Sequence, residues 1–286
     1  FDYYIFHFAL HGVKNLHKTL PGALIVNNEN LKTVYFNLAA DYFCNFLPSD
    51  PNAVIYPQID CFSSPTNQSH SSSPMPIPPN SSNLRPPTYL LLSALSHQTQ
   101  NTTNATSQVR LSDNARSANW RSESVLNIFI DSWLRYDVDE WELPGNEFIR
   151  MVRILVKQLH FFGNSAEQDL TSLRVLRSQA QPMLNARIYP FLKTVISRWP
   201  LDSSFLNPLE CFLSYIQPWR YVANRNIANL NNELQEIPDR FKLFVAENLQ
   251  IYTQIFVRLI QRGLKMDLSL NKNALMMFRL IKVYRQ

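Results

Sequence analysis

Chemistry needs carboxylates, imidazoles, thiols or guanidinium groups held close together, and the densest such group in this sequence is the run "YDVDEWELPG". It brings Asp137, Asp139, Glu140 and Glu142 within a few residues of one another, the oxygen-rich donor set that a hard cation such as Mg²⁺ prefers. It does not follow the calcium-loop template, because Glu142 stands where the turn glycine belongs and Phe148 where a bidentate Glu would close the site. A solvated acidic turn between two helices is the simpler reading of the same residues. His7 and His11 lie one helical turn apart, a two-point metal spacing, yet no Glu or third ligand accompanies them. They read better as two partly buried histidines on one helix face. "HFFGNSAE" places His160, Gly163, Asn164 and Glu167 together but misses the G-N-H-E/D run of dinuclear phosphoesterases, so it reads as a helix stop. The sequence has no G-x-S-x-G elbow, C-x-x-C pair, P-loop, H-E-x-x-H helix or H-x-K-x4-D phosphodiesterase motif.

A second cluster pairs aromatics with a guanidinium. In "NPLECFLSYIQPWRY", Asn207 is a good N-cap, Pro208 suits the first helical position, and Glu210 can reach back as in a capping box. Phe212, Leu213 and Ile216 share a face, and Gln217, preceding Pro218, is pushed out of helical geometry. Trp219, Arg220 and Tyr221 therefore open a new segment at a helix corner. One reading is structural, with the rings packed and the guanidinium stacked or bonded to helix carbonyls. The other is a ligand or membrane-interface cluster.

The elements that would position these groups are helical. Of 286 residues 45% are apolar and 12% aromatic, enough for a sizeable core, while only 5 glycines disfavour turn-dense β folds and glycine-lined phosphate cradles. Val125, Phe129 and Trp133 stack beside Leu126, Ile130 and Leu134. From Asn146, Phe148, Val152, Leu155, Leu159 and Phe162 alternate four and three apart, with Gly163 and Asn164 as the stop. Pro182 opens a further helix that Pro190 is expected to kink or split. Pro238 and Asp239 start a long one running through Asn248 and Tyr252 to Gly263 as its C′ residue, and a last helix covers about Lys272 to Tyr284. The class expected is all-α, an irregular stack of antiparallel helices.

One tract breaks the pattern. Of 18 prolines, 10 fall between Pro48 and Pro87, and the Pro/Ser/Asn-rich composition predicts a disordered insertion over residues 57–117. That leaves an N-terminal helical part, 1–56, and a helical domain, 118–286. Sequons at Asn67, Asn80, Asn101 and Asn104 lie in the insertion, where any Asn/Ser/Thr-rich linker produces them by chance. Cys44, Cys61 and Cys211 fit no zinc pattern and read as reduced, buried thiols of a cytosol-facing protein. A net charge of +5 without basic runs argues against nucleic acid as a partner and leaves an anionic membrane surface open. No uncharged apolar run reaches the roughly 18–20 residues of a spanning helix. The chain begins at Phe1 and reads as a piece of a longer protein whose targeting segments lie outside it.

Four segments carry a family resemblance: "WRSESVLNIFIDSWL" (Trp120–Leu134), "VRILVKQLHFFGNS" (Val152–Ser165), "WPLDSSFLNPLECFLSYIQPWRY" (Trp199–Tyr221) and "FVAENLQIYTQIFVRLIQRGLKMDL" (Phe244–Leu268). In this order, with "YYIFHFAL" near the start, they resemble the sphingomyelin phosphodiesterase 4, or neutral sphingomyelinase 3, family. The resemblance implies hydrolysis of sphingomyelin to ceramide and phosphocholine at neutral pH with Mg²⁺. It also implies membrane lipid as substrate and a C-terminal membrane anchor outside this fragment. The location implied is the cytosolic face of endoplasmic reticulum, nuclear envelope and Golgi membranes. Other neutral sphingomyelinases are similar to DNase-I-like sandwiches, and none of their Asp, Asn and His motifs stands in this helical chain. The alternative function is therefore a non-catalytic helical scaffold of the nuclear envelope or endoplasmic reticulum that binds proteins or lipid.

Overall fold

The computed structural model describes residues 1–17, 28–50, 106–135, 143–222 and 237–285, and among these every regular element is helical. Helices α1 (Asp2–His17) and α2 (Asn28–Phe46) form an antiparallel pair. The Tyr4 and Tyr42 hydroxyls are 2.9 Å apart, and Tyr35 donates to the Phe8 carbonyl at 3.0 Å. Helix α3 (Thr106–Leu134) buries Val125, Leu126, Phe129, Ile130, Trp133 and Leu134, the face its spacing predicts. Trp133 Nε1 donates to the Ala9 carbonyl at 3.1 Å, and its ring meets those of Phe129, Phe43 and Phe148 at 4.8, 5.6 and 5.9 Å. These edge-to-face pairs lock α1, α2 and α3 onto the following helix, beyond what area burial alone would give. Phe1–Ile55 and Ala115–Gln286 accordingly make one compact unit. The expected insertion lies outside the described residues up to residue 105; α3 begins at Thr106, within its C-terminal end. The four sequons and Cys61 lie outside them too.

Helix α4 (Asn146–Asn164) is the centre of the stack. Its expected positions Phe148, Val152, Leu155, Leu159 and Phe162 are buried, joined by Ile149, Met151 and Val156, so the apolar face is broad enough to meet neighbours on several sides. Helix α5 (Arg174–Arg198) follows antiparallel to it, and α6 (Leu206–Tyr215) returns alongside both. The expected start of α5 and its expected split fail. The helix starts eight residues before Pro182, and Pro190 does not split it. Each proline forfeits a backbone bond at about 3 kcal/mol. Leu184, Ile188, Phe191, Leu192, Val195 and Ile196 are buried on both sides of Pro190, and at about 1.5–3 kcal/mol apiece they outweigh that cost.

Helix α6 also begins differently from its sequence signature. A 3₁₀ turn, Ser203–Phe205, precedes it, and Asp202 caps that turn by accepting from Ser204 N at 2.8 Å. Asn207 and Pro208 thus sit inside the first turn, and the capping box does not form. Asn207 instead donates to Asn146 Oδ1 at 2.9 Å, stapling the starts of α6 and α4.

The long helix expected from Pro238 is divided. A 3₁₀ turn (Asp239–Phe241) leads into α7 (Lys242–Glu247), and α8 (Leu249–Gly263) starts after a break at Asn248. Asn248, buried, donates from Nδ2 to the Phe244 carbonyl at 2.9 Å, the local competition that makes Asn a poor mid-helix residue. Helix α9 (Asn271–Tyr284) closes the stack antiparallel to α8, with Tyr284 donating to the Tyr252 carbonyl at 2.7 Å. Gly263 is the last residue of α8, and the cap is Leu264 in right-handed helical geometry, so Gly263 is not the left-handed C′ residue its position suggests. Its role is closeness: a Cβ there would lie 2.5 Å from Met277 Sδ and 2.6 Å from Met277 Cε. Gly263→Val is expected to lower stability by about 1 kcal/mol in urea titrations, a modest overpacking cost because the atoms met are the mobile end of Met277. Combining it with Met277→Ala should recover part of that loss; equal stability of Gly263→Val and the parent would refute the account. No helix of the described residues is long and apolar enough to cross a membrane.

Candidate functional site: the Pro218 corner and the buried polar seam

The C-terminal end of α6 turns at Pro218 because Gln217 adopts φ −122°, ψ 60°, outside the helical region as its place before proline requires. Pro218–Arg220 is a single 3₁₀ turn. Trp219 is buried with its ring 6.2 Å from that of Phe241, so it is packing and not a free interface residue. Arg220 is exposed, and it donates from Nη1 to Gln217 Oε1 at 3.1 Å where a helix carbonyl was expected. Tyr221 is half-buried and lies flat on the His160 ring, centroids 5.6 Å apart and planes 10° from parallel. Asn164, the residue that stops α4, donates from Nδ2 to the Pro218 and Tyr221 carbonyls at 2.8 Å each. The corner is therefore a structural joint between α4 and α6, and only Arg220 of the three faces outward.

Behind the corner runs a line of buried polar groups. His160 is fully enclosed, and its Nε2 sits 2.9 Å from the Tyr215 carbonyl. A carbonyl can only accept, so Nε2 carries the proton and Nδ1 is left to accept, with Gln181 Nε2 at 3.5 Å. Burial drives the imidazole down to about 4, only partly offset by the bond to Tyr215, so the ring is neutral at physiological pH. The Tyr215 hydroxyl lies 2.7 Å from both Asn248 Oδ1 and Asn185 Oδ1, and Tyr252 donates to the Ile216 carbonyl. Desolvation raises the Tyr215 and Tyr252 phenols well above their ordinary value. These are proton-holding groups of a fold, tied to carbonyls and amides of neighbouring helices, with His160, Tyr215 and Asn248 buried.

A second buried joint was not foreseen from the sequence. Arg177, fully buried, donates from Nε to Asp169 Oδ2 at 2.6 Å and from Nη2 to the Asp50 carbonyl at 3.1 Å. Its Nη1 is shared among the Pro48 carbonyl at 2.6 Å, the Phe162 carbonyl at 3.3 Å and Ser165 Oγ. The guanidinium also lies 4.6 Å over the Phe162 ring. Burial works against its charge and Asp169 works for it. It clamps the segment after α2 to the end of α4.

On the surface between α4, α6 and α9, Glu210 serves two cations instead of a cap. Arg153 Nη2 reaches Glu210 Oε2 and Arg279 Nη1 reaches Glu210 Oε1, both at 2.6 Å. Arg153 Nε also donates to Ser214 Oγ at 3.0 Å.

The other expected site residues separate. Asp137, Asp139, Glu140 and Glu142 lie outside the described residues. Among the described residues no group of three or more His, Cys, Asp or Glu could hold a metal ion. His7 and His11 are both exposed, not partly buried, because α1 turns Ile5 and Ala9 into the core instead. Cys211 is a buried free thiol that desolvation pushes up to about 12, whereas Cys44 is exposed, contrary to expectation, because Phe43 and Leu47 take the inward positions of α2.

No solved structure matches this chain. The family model described as mitochondrial-associated sphingomyelin phosphodiesterase matches residues 1–142 and 136–286. A zebrafish (Danio rerio) protein named sphingomyelin phosphodiesterase 4 is 32% identical over 312 residues, covering 100% of this chain and 37% of its own length. The proteins of that name from Homo sapiens and Mus musculus are 31% and 30% identical, again across 100% of this chain and 37% and 39% of theirs. The chain thus spans less than two-fifths of these relatives, and across its whole length it belongs to the mitochondrial-associated sphingomyelin phosphodiesterase family.

Proposed function

We propose that the protein acts on sphingomyelin as a phosphodiesterase, releasing ceramide and phosphocholine at neutral pH, and that the helical stack is the frame on which this activity is built. The observation that supports this reading is similarity over the entire chain to relatives named for that activity. Phosphodiester hydrolysis needs an activated water, positive charge against the phosphoryl oxygens and an acid for the departing ceramide alkoxide. Mg²⁺ is the metal the resemblance implies. The described residues do not fit it, so Asp137, Asp139, Glu140 and Glu142 are the ligands proposed for it.

The test is phosphocholine release from labelled sphingomyelin by purified protein with Mg²⁺ and then with chelator. Asp137→Asn and Asp139→Asn are each expected to lower turnover by about 100-fold or more, the usual cost of losing a metal ligand or its base. Metal-dependent turnover that survives both substitutions rejects this cluster and keeps the enzyme. No turnover from folded protein, even extended to the length of the relatives, favours the second reading. That reading is a non-catalytic scaffold binding proteins, those of the nuclear envelope among them, or lipid. One observation favours it: His160, Arg177, Asp169, Tyr215 and Asn248, the buried polar groups that could have done chemistry, are spent on bonds between helices. Under either reading the place of action is a membrane surface. The cytosolic faces of the endoplasmic reticulum, nuclear envelope and Golgi are the locations proposed, and fractionation of the tagged protein against mitochondrial markers tests them.

A further inference from the structure

The surface around Glu210 has more positive charge than its own carboxylate can match. Arg153 comes from α4, Arg279 from α9, and each takes one oxygen of Glu210. Lys157 lies one turn beyond Arg153 on the same face of α4, and Arg220 projects from the Pro218 corner. Arg153, Lys157 and Arg220 are close enough to be felt together, and Arg279 joins Arg153 through their shared carboxylate. Besides partial burial, the fields of Arg153 and Arg220 hold the Lys157 ammonium below its ordinary value, and Glu210 offsets them only in part. Among the described residues Lys157 makes no hydrogen bond or ion pair, and Arg220 meets only the side chain of its neighbour Gln217. The next pair along α4, Arg150 with Glu147, is neutral as a pair and adds nothing to the surplus. Apolar side chains are exposed on the same faces. Ile154 lies three residues before Lys157 on α4, and Leu275 one turn before Arg279 on α9, where helical spacing makes them neighbours of the cations.

We propose that this face, Arg153, Lys157, Arg220 and Arg279 around the carboxylate of Glu210, docks the phosphate headgroups of an anionic lipid bilayer. Three positive side chains in excess among the described residues attract phosphate oxygens, and their long stems allow the heads to sit at headgroup depth. The exposed Ile154 and Leu275 are what a soluble phosphate would not need and a bilayer interface accepts. The contact is peripheral and electrostatic, so it weakens with salt. It does not depend on whether the chain carries the hydrolytic step, so its failure and that of the phosphodiesterase reading show up in separate assays.

Sedimentation of the 286-residue chain with vesicles of phosphatidylcholine containing phosphatidylserine tests this, with pure phosphatidylcholine vesicles as control. Binding is expected to the anionic vesicles at low salt and not to the neutral ones. Lys157→Gln/Arg220→Gln, which breaks no bond between helices among the described residues, should weaken it by about 30-fold at unchanged thermal stability. Glu210→Gln should strengthen it by about 5-fold at unchanged thermal stability, and the gain should vanish at high salt, which binding through exposed core would not do. Binding that persists in Lys157→Gln/Arg220→Gln, or is equal on neutral vesicles, overturns the assignment. Retention of inorganic phosphate or of a single-stranded oligonucleotide at matched ionic strength, lost in the same variant while vesicles do not bind, overturns the lipid in favour of a soluble phosphate or a nucleic acid.

Discussion

Arg177→Met is expected to cost about 3–5 kcal/mol of folding stability, the usual effect of removing one partner of a buried ion pair. The Asp169 carboxylate, fully buried against Arg177 Nε, would keep only its bond from Thr171 N at 2.6 Å. The carbonyls of Pro48 and Asp50 would lose this donor at the same time, leaving Gln158 Nε2 on the Leu47 carbonyl at 2.6 Å to hold the end of α2 to the stack. Urea denaturation should therefore show a lower midpoint. Protease digestion should reach the segment after α2 before it reaches α4. The pair is better evidence for a specified geometry than for net stability, because bringing two charges into the core consumes most of their attraction. The double variant Arg177→Met/Asp169→Leu should consequently be more stable than Arg177→Met alone by at least about 1 kcal/mol. Additive losses in the double variant would show that the guanidinium acts through its carbonyl contacts, with Asp169 incidental.

Arg177 also shows what could and could not be read from the sequence. On α5 it lies three residues before Ala180 and seven before Leu184, in line with Ile188 and Phe191, so it occupies a position of the apolar stripe. A charge on that stripe is a legible sign of a buried partner, but Asp169 lies outside the helix and the Pro48 and Asp50 carbonyls lie more than a hundred residues away. Periodicity gave the inward faces of α3 and α4 correctly, since burial there needs only local spacing. Local rules misled wherever tertiary packing was stronger. The prolines of α5 are carried by a continuous buried face, and Glu210 leaves the capping box for two guanidinium groups on other helices. The corner at Pro218 was legible because one rule, the restriction on the residue before proline, suffices to make it. The partner of its Tyr221, the His160 ring, could not be found from any spacing within either segment.

His160 makes the stability of that corner depend on acid. Its imidazole has an ordinary value of 6.5 in an unfolded chain and about 4 in the fold, because burial penalises the charged ring. The depressed value means that between these limits the unfolded chain binds a proton that the folded one refuses. Stability is therefore fully present above pH 6.5 and is lost as pH falls towards 4, at about 1.4 kcal/mol per pH unit. Over that window the loss comes to about 3 kcal/mol from this group alone. The test compares urea midpoints at about pH 7.5 and pH 5 for the parent and for His160→Gln, whose amide can still donate to the Tyr215 carbonyl but cannot titrate. Between the two pH values the parent should lose about 2 kcal/mol more than the variant. Parallel losses would mean that His160 is already protonated in the fold, or that the corner opens to water before it titrates. The geometry says which bonds go first. A proton on Nδ1 would face the Gln181 amide in place of accepting from it, and the charged ring would lie in the enclosed space between Tyr215 and Tyr221. Relief comes most easily by lifting Tyr221, which carries with it one of the two carbonyls that Asn164 holds. Since Arg220 is the neighbouring residue, acid that opens the corner should also disperse the cation cluster. Vesicle binding of the parent should then fall with its stability near pH 5, while that of His160→Gln holds.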